Sequence, residues 1–282
     1  MYQQSISRRD PGCIVFLLDR SDSMRAPWAG TGLTLAQGAA QAINEILFAL
    51  GVQSTKEFGA AMRRYFYVGA VGYGLQVSDG GEGVESAWGG PMAGRGIVPL
   101  PELIDNPVAI RDHSTVDRSA ARLPEWILPA NGYRTPMCQA IAMAGAQIYD
   151  WVQEFRSSFP PIVINITDGL VTDSPYQGAG LQEWANRLTG ISTGDGRVLL
   201  LNVFLSPVRA PAVWFPVGAG NLPPPGPDLF GITSVLPAPL IANARGSGVT
   251  VADGARGLVF NADLAMLGQF LEIGTRVAIV DQ

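Results

Sequence analysis

Small oxygen-bearing side chains follow an apolar run near the start of the chain. The run Ile14–Leu18 is followed directly by Asp19, Ser21 and Ser23. A spacing of two residues lets alternate side chains of one tight turn point toward a common centre. Carboxylate and hydroxyl oxygens, with no imidazole or thiolate, suit hard cations such as Mg²⁺, Mn²⁺ or Ca²⁺ better than zinc. The segment therefore predicts one side of a divalent-cation site.

Two later segments carry the same kind of oxygen atoms. Thr135 lies in NGYRTPM, just before a long helical pattern, and Asp168 follows the apolar run PIVINIT. In open α/β sheets, ligands bind outside the carboxyl ends of the strands, near the point where the strand order reverses. If the strands that precede Asp19 and Asp168 are neighbours, the two carboxylates emerge side by side. The loop that carries Thr135 can then fold over the same place.

The elements that would position these residues alternate between strand and helix patterns. Predicted strands cover 14–18, 65–73, 97–100, 161–167, 198–205 and 257–260, with 249–251 beside the last. Predicted helices cover 33–50, 116–123, 136–155, 181–188 and 262–277, and Gly51 suits the C-cap of the first. This alternation predicts an α/β fold with a doubly wound, mostly parallel central sheet and helices on both faces. A proline in 97–100 makes that segment an antiparallel edge strand.

The chain shows no break in composition that would divide it. We therefore expect a single domain over residues 1–282, with elaborated loops at about 75–130 and 206–240. The first elaboration begins with a glycine-rich stretch. The second is rich in proline and too long for an ordinary loop, which predicts a connector that wraps the surface and carries partner contacts.

The oxygen-bearing residues carry a resemblance to a known family. Asp19, Ser21 and Ser23, with Thr135 and then Asp168, resemble the metal-ion-dependent adhesion site (MIDAS) of von Willebrand factor A (VWA) domains. The resemblance implies a Rossmann-like fold over nearly the whole chain and a bound divalent cation, Mg²⁺ ahead of Mn²⁺ or Ca²⁺. The three hydroxyls would touch the metal directly, and the two carboxylates would hold it mostly through water. A Glu or Asp of a partner protein would complete the coordination.

Two further stretches refine this resemblance. The threonine loop reads GYRTPM where the family commonly has a second glycine, and Arg134 in that loop could steer an acidic partner. The stretch GARGLVFNADLAMLGQFLEIGTR resembles bacterial stand-alone members of the family. Some of those are encoded beside serine/threonine kinases, phosphatases or AAA+ ATPases. The resemblance thus implies an adaptor in a bacterial signalling or stress and conflict system, and no enzyme activity.

The composition excludes some partners. A formal net charge of −5 and a pI near 4.9 argue against a nucleic-acid or anionic-membrane surface. No run reaches the roughly 18 apolar residues of a membrane span, and the start of the chain lacks a signal peptide, so a cytoplasmic protein is expected. Cys13 and Cys138 are too few for a disulfide framework and are expected to be buried thiols, as in a reducing compartment. The oligomeric state is left open.

Two other functions remain as alternatives. Asp19 at the end of a strand also resembles the nucleophile of haloacid-dehalogenase-type phosphatases, which would make the chain a Mg²⁺-dependent phosphotransferase. That family has a second acid where this chain has Ser21, and the sole lysine, Lys56, lies where nothing else suggests chemistry. A scaffold subunit of a larger assembly is the third possibility.

Several conspicuous residues have simpler interpretations. Asp22 is expected to face solvent or to lie just behind the metal ligands. Asp173 is expected to cap a helix or turn, and His113 to lie on the surface. Trp88 and Trp214 are expected to pack against the domain locally, with exposed partner anchors as the alternative.

Overall fold

The computed structural model describes residues 1–55, 60–76, 82–113 and 121–280. Within these residues the strands are β1 (Gly12–Asp19), β2 (Phe66–Gln76), β3 (Glu82–Ser86), β4 (Val98–Pro99), β5 (Ala109–His113), β6 (Ala121–Glu125), β7 (Ile162–Thr167), β8 (Ser192–Thr193), β9 (Gly196–Arg197), β10 (Leu199–Leu205), β11 (Val213–Trp214) and β12 (Leu258–Ala262). The α-helices of the same residues are α1 (Leu35–Gln53), α2 (Leu100–Ile104), α3 (Met137–Glu154), α4 (Leu181–Gly190), α5 (Gly226–Ile232), α6 (Ala238–Gly246) and α7 (Leu264–Thr275).

One large sheet organises the fold. Its strand order is β11-β12-β10-β7-β1-β2-β3, with β4 also paired to β2. Five consecutive members of this path, β12, β10, β7, β1 and β2, run parallel, whereas β3, β4 and β11 pair antiparallel at the margins. The predicted antiparallel edge strand is therefore present as β4. The large sheet has three antiparallel strands in the described residues, however, where one was expected.

The central strand β1 is buried along its whole length. Ile14, Phe16 and Leu18 belong to one hydrophobic cluster with α1 and α7, while Val15 and Leu17 belong to a second cluster with α3 and α4. Because successive side chains of a strand point to opposite faces, the two clusters lie on either side of the sheet. The molecule is thus a mixed α/β fold with a mostly parallel central sheet, as the continuous apolar runs predict.

The boundaries of the predicted helices are corrected in detail. Helix α1 begins after Thr34, which forms a capping box with Gln37, and it continues past Gly51 to Gln53. Gly51 is therefore not its C-cap. The predicted helix 116–123 is wrong where the structure describes it, because β6 pairs there with β5 in an antiparallel ribbon.

The proline-rich stretch 206–240 is more ordered than expected. It contains β11 and α5 and the beginning of α6, and Leu229 and Ile232 of α5 are buried in the core. Prolines stand at the first turns of α5 and α6, where their missing N–H removes no helical bond. Residues 249–251 form no strand, and β12 supplies the last strand of the sheet.

Among the helices of the described residues, only α1 has the length and hydropathy of a membrane span. About three fifths of its apolar window, 61%, is buried inside the fold. Core helices of globular proteins share this property, and α1 supplies much of one hydrophobic cluster.

Candidate metal centre

The strands that precede the two carboxylates are neighbours, as the sequence predicts. Leu18 of β1 pairs with Ile166 of β7 in parallel register. Asp19 is the last residue of β1 and Asp168 follows the last residue of β7. Both acids therefore emerge at the same edge of the sheet. Since β2 lies on one side of β1 and β7 on the other, this place is the point where the strand order reverses.

Hydrogen bonds join the first loop to the second. The hydroxyl oxygens of Ser21 and Ser23 are 3.0 Å apart, and Ser23 Oγ donates to Asp168 Oδ1 at 2.8 Å. The backbone N–H of Ser21 donates to Asp19 Oδ1 at 2.8 Å, which folds the turn back over the end of β1. Four of the five predicted residues are thus linked in one network.

Thr135, the fifth residue, reaches the same place through the space beside Gly169. A Cβ built on Gly169 would lie 3.1 Å from Thr135 Oγ1, 3.6 Å from Asp19 Oδ2 and 3.8 Å from Ser23 Oγ. Oxygens from the loop after β1 and from the Thr135 loop therefore lie around the Cβ position of Gly169, in the loop after β7. The structure brings all five predicted residues together.

The five residues together form a donor set that fits a hard divalent cation. It consists of three hydroxyls and two carboxylates, all of them oxygen ligands. In the described part of the chain, no group of three or more His, Cys, Asp and Glu side chains is arranged to hold a metal. A site here would therefore depend on its serine and threonine hydroxyls as well as on its two carboxylates.

Burial makes the two carboxylates costly to ionise in the absence of a cation. Desolvation raises the pKa of Asp19 to about 6, although hydrogen bonds from Ser21 and Thr167 oppose the rise. Desolvation also raises the pKa of Asp168, and the hydrogen bond from Ser23 opposes it. Neither acid forms an ion pair with any residue in the described ranges. A bound cation would favour the charged forms of both.

Close backbone packing holds the Thr135 loop in place. The N–H of Tyr133 donates to the carbonyl of Gly74 at 2.6 Å, and a Cβ on Gly132 would overlap that same carbonyl. Gly74 itself has φ +110° and lies against the backbone of Arg134. The loop therefore rests on the end of β2, and its only glycine before the threonine is used for this contact.

Asp173 ties the Thr135 loop to the loop after β7. Its carboxylate accepts hydrogen bonds from the N–H of Cys138 at 3.0 Å and of Gln139 at 2.8 Å, at the start of α3. The predicted capping role of Asp173 is confirmed. The N–H of Thr135 donates to Thr172 Oγ1 at 3.0 Å. Thr172, a second residue of the loop after β7, therefore holds Thr135 directly.

Thr167 is a site residue that sequence reasoning missed. It is fully buried, and its hydroxyl donates to Asp19 Oδ2 at 2.6 Å. Thr167 Oγ1 also accepts a hydrogen bond from the N–H of Gly169 at 3.1 Å. The available signal was a hydroxyl at the last position of a buried strand, directly before the predicted ligand Asp168.

A buried polar chain runs beneath the site. Tyr73 Oη donates to Asn165 Oδ1 at 2.7 Å, Asn165 Nδ2 donates to Asn202 Oδ1 at 2.9 Å, and Asn202 Nδ2 donates to Thr233 Oγ1 at 2.8 Å. These residues connect β2, β7, β10 and the end of α5. The signal in the sequence was an asparagine inside each of two apolar runs, PIVINIT and VLLLNVFL.

The remaining singled-out residues lie mostly where their simpler interpretations put them. Asp22 is exposed and pairs with Arg25, with 2.9 Å between Asp22 Oδ1 and Arg25 Nε. Trp88 is buried and donates from its indole N–H to the carbonyl of Gly96, while Trp214 is half-buried against the core. The Arg134 guanidinium lies 5.4 Å from the ring centre of Tyr133, on the rim of the site.

Both cysteines are buried free thiols, as predicted. Burial raises the pKa of Cys13 and, with the nearby carboxylate of Asp173, raises the pKa of Cys138 to about 12. The side chain of His113 and all of Lys56 lie outside what the structure describes.

Comparison with known proteins gives no family. No protein-family model matches the chain, and no curated protein matches it. Solved structures with similarity include proximal thread matrix protein 1 from the mussel byssus, with TM-score 0.41 and 14% identity over 96% of this chain and 48% of that one. The pilus adhesin SpaC from Lactobacillus rhamnosus GG has TM-score 0.49 and 11% identity over 95% of this chain and 30% of that one. The human COPII-coat protein Sec24c has TM-score 0.34 and 12% identity over 70% and 26%. The chain spans less than half the length of each.

Proposed function

We propose that the chain is a metal-dependent protein–protein interaction module of the VWA type. Asp19, Ser21, Ser23, Thr135 and Asp168 would hold one divalent cation, with Mg²⁺ preferred to Mn²⁺ or Ca²⁺. A Glu or Asp side chain of a partner protein would complete the coordination. Metal and partner would then bind cooperatively, because each supplies part of the other's site.

The observation that carries this proposal is the convergence of oxygens beside Gly169. Thr135 Oγ1, Asp19 Oδ2 and Ser23 Oγ all lie within 4 Å of the point that a Cβ there would occupy. Neutral hydroxyl ligands leave a cation able to attract an outside carboxylate. The strand order, with helices covering both faces of the sheet, supports a doubly wound VWA-type domain over residues 1–282.

The wider role follows from the resemblance in the sequence. We propose an adaptor in the bacterial cytoplasm that recruits an acidic segment of a kinase, a phosphatase or an AAA+ ATPase. No nucleic acid and no membrane surface is part of this proposal, since the chain is acidic overall.

The phosphatase alternative is less well supported by the geometry. An aspartyl nucleophile needs a free oxygen directed at phosphorus. Asp19 is fully buried, which restricts the access of a phosphoester to its oxygens, and Ser21 stands where that family has a second acid. A scaffold role is compatible with the binding module and differs from it only in the partner.

Titration calorimetry with MgCl₂ and MnCl₂ tests the metal site. The variants Ser21→Ala, Thr135→Ala and Asp168→Asn should each weaken cation affinity by about tenfold or more. Asp22→Asn is the matched control, because Asp22 lies in the same loop, is exposed and pairs only with Arg25 in the described structure. Its cation affinity should equal that of the wild type.

Two results would overturn the proposal. One is cation binding that the three ligand variants leave unchanged. The other is Mg²⁺-dependent turnover of a generic phosphoester, such as p-nitrophenyl phosphate, that Asp19→Asn abolishes, since this would identify Asp19 as a nucleophile.

A further inference from the structure

An open cavity adjoins the candidate metal centre. It has a volume of about 320 Å³ and lies between the loop after β7, helix α4 and helix α5. Its apolar lining consists mainly of Leu170, Val171, Leu181, Leu229 and Ile232, with two prolines. Polar and apolar atoms share its exposed lining about equally. Concave sites of this size that combine apolar walls with a few polar groups are the usual form of a binding pocket.

The cavity and the oxygen cluster share a residue. Gly169 lines the cavity, and the Cβ position of Gly169 is also the point on which Thr135, Asp19 and Ser23 converge. The next residue, Leu170, is 59% exposed at the mouth of the cavity. Since consecutive Cα atoms are about 3.8 Å apart, a carboxylate at the metal and an apolar group in the cavity could belong to adjacent residues of one ligand.

The charges around the cavity favour a neutral occupant. Its polar lining includes Ser174, Gln182 and the exposed carboxylate of Asp228. The described residues that line it include no Lys or Arg. A second acidic side chain placed here would meet Asp228 without a counter-charge, whereas an aliphatic side chain would meet leucine, valine and isoleucine.

We propose that this cavity is the specificity pocket of the metal centre. Its occupant is an aliphatic side chain (Leu, Ile, Val or Met) within two residues of the acidic residue that binds the metal in the partner peptide. This inference rests on the proposed function. A lone carboxylate–cation contact open to water is weak, and burial of the neighbouring aliphatic group adds apolar contact and shields the contact from water.

Capped heptapeptides test the pocket. Each has a central Glu in a Gly/Ser background, with Leu placed in turn at the two positions on either side, and one control has Gln in place of Glu. Binding of fluorescently labelled peptides is followed by anisotropy in MgCl₂ and in EDTA. At one of the four positions, Leu should tighten Mg²⁺-dependent binding by about tenfold.

Two glycine variants locate the effect. A Cβ on Gly231, in α5, would face the cavity and meet only Gln182 Oε1, at 3.1 Å, the end of a flexible side chain. Gly231→Leu should therefore fill the cavity and abolish the advantage of Leu while leaving the Glu-only peptide bound. Gly246→Leu is the matched control, because Gly246 is also helical, has open space around its Cβ and lies on α6 over the other face of the sheet. It should bind all peptides as the wild type does.

Leu170→Ser provides a second test that does not depend on filling the core, since Leu170 is exposed. It should reduce the advantage of Leu about threefold, because it removes part of the cavity mouth. Leu128→Ser, at an exposed leucine outside the cavity lining, is its control.

The outcomes separate this inference from the proposed function. Mg²⁺-dependent binding of Glu peptides with no gain from Leu at any position would overturn the pocket and leave the metal module standing. Absence of any Mg²⁺-dependent peptide binding would overturn both. Self-association of the chain that Gly231→Leu abolishes would identify a second copy as the occupant and would also overturn the pocket proposal.

Discussion

Thr167 Oγ1 lies 2.6 Å from Asp19 Oδ2, between residues that are 148 positions apart in the chain. Both side chains are fully buried, at the ends of neighbouring parallel strands. The hydroxyl orients the carboxylate from behind, and the N–H of Ser21 holds its other oxygen. The geometry of Asp19 is therefore set by the fold before any ligand arrives.

Thr167→Val should weaken cation binding without removing a ligand. The change keeps the shape of the side chain but leaves Asp19 Oδ2 without its donor, which should lower the free energy of unfolding by about 1–3 kcal/mol. Loss of a residue that orients a ligand should also reduce cation affinity by about tenfold. Denaturant titration and calorimetry measure the two effects. Thr275→Val, at a buried threonine in α7, is the control and should change stability alone; equal cation affinity in both variants would contradict this role for Thr167.

Asp173→Ala should loosen the start of α3 and with it the Thr135 loop. Loss of the two hydrogen bonds to Cys138 and Gln139 should lower the free energy of unfolding by about 1 kcal/mol. Cation affinity should fall as well, because Thr135 lies just before this helix. Asp263→Ala removes the cap of α7 and should have a similar effect on unfolding with unchanged cation affinity. A parallel result for both variants in calorimetry would show that Asp173 acts on stability only.

The metal-free chain should lose stability as pH rises through the titration of Asp19. Its folded pKa of about 6 exceeds the value of 3.8 for a free aspartate, so the unfolded state releases the proton first. The stabilisation is complete below the lower pKa and is lost as pH passes the higher one, a change of about 2 kcal/mol between pH 4 and pH 7.

The comparison with Asp19→Asn isolates this effect from other titrating groups. Urea unfolding in EDTA should give a difference in unfolding free energy, wild type minus variant, that declines by about 2 kcal/mol over the same pH range. Added MgCl₂ should reduce the decline, since a cation favours the ionised form. A difference that stays constant with pH would rule out the raised pKa.

Asn165→Leu should destabilise the fold because it interrupts the polar chain beneath the site. The hydroxyl of Tyr73 and the amide of Asn202 would each lose a partner in the core, which should lower the free energy of unfolding by about 2–4 kcal/mol. Tyr73→Phe removes one of the orphaned groups, so the double variant should lose less than the sum of the single ones. Strict additivity in urea unfolding would argue against the chain acting as a unit.

The part of the fold that could be predicted is the part dominated by burial. β1, β7 and β10 are buried almost throughout, and their apolar runs, which contain only Asn165 and Asn202 as internal polar residues, indicate covered strands. The convergence of Asp19 and Asp168 followed from the rule that ligands bind at the carboxyl ends of parallel strands. Thr135 was identified by its place before a helix, and the capping role of Asp173 by residue type.

The remainder depends on contacts between distant segments. The ribbon of β5 and β6 forms because two polar segments pair with each other. No local periodicity in either segment predicts this pairing. Helix α5 begins after a run of prolines that reads as loop, and its buried Leu229 and Ile232 are recognisable only once the sheet beneath them is known. Thr167 was missed because the role of a hydroxyl in a strand can be recognised only when its hydrogen-bond partner, here Asp19, is known.

Because Gly169 has no Cβ, a single substitution there can test the oxygen cluster genetically. Alanine there would put a methyl carbon 3.1 Å from Thr135 Oγ1 and 3.6 Å from Asp19 Oδ2, within the space that the oxygens enclose. All five oxygen-bearing residues would be kept, and the exposed surface would change by one carbon atom. An allele with this single edit would separate what the folded chain does in its host from what the proposed cation site does.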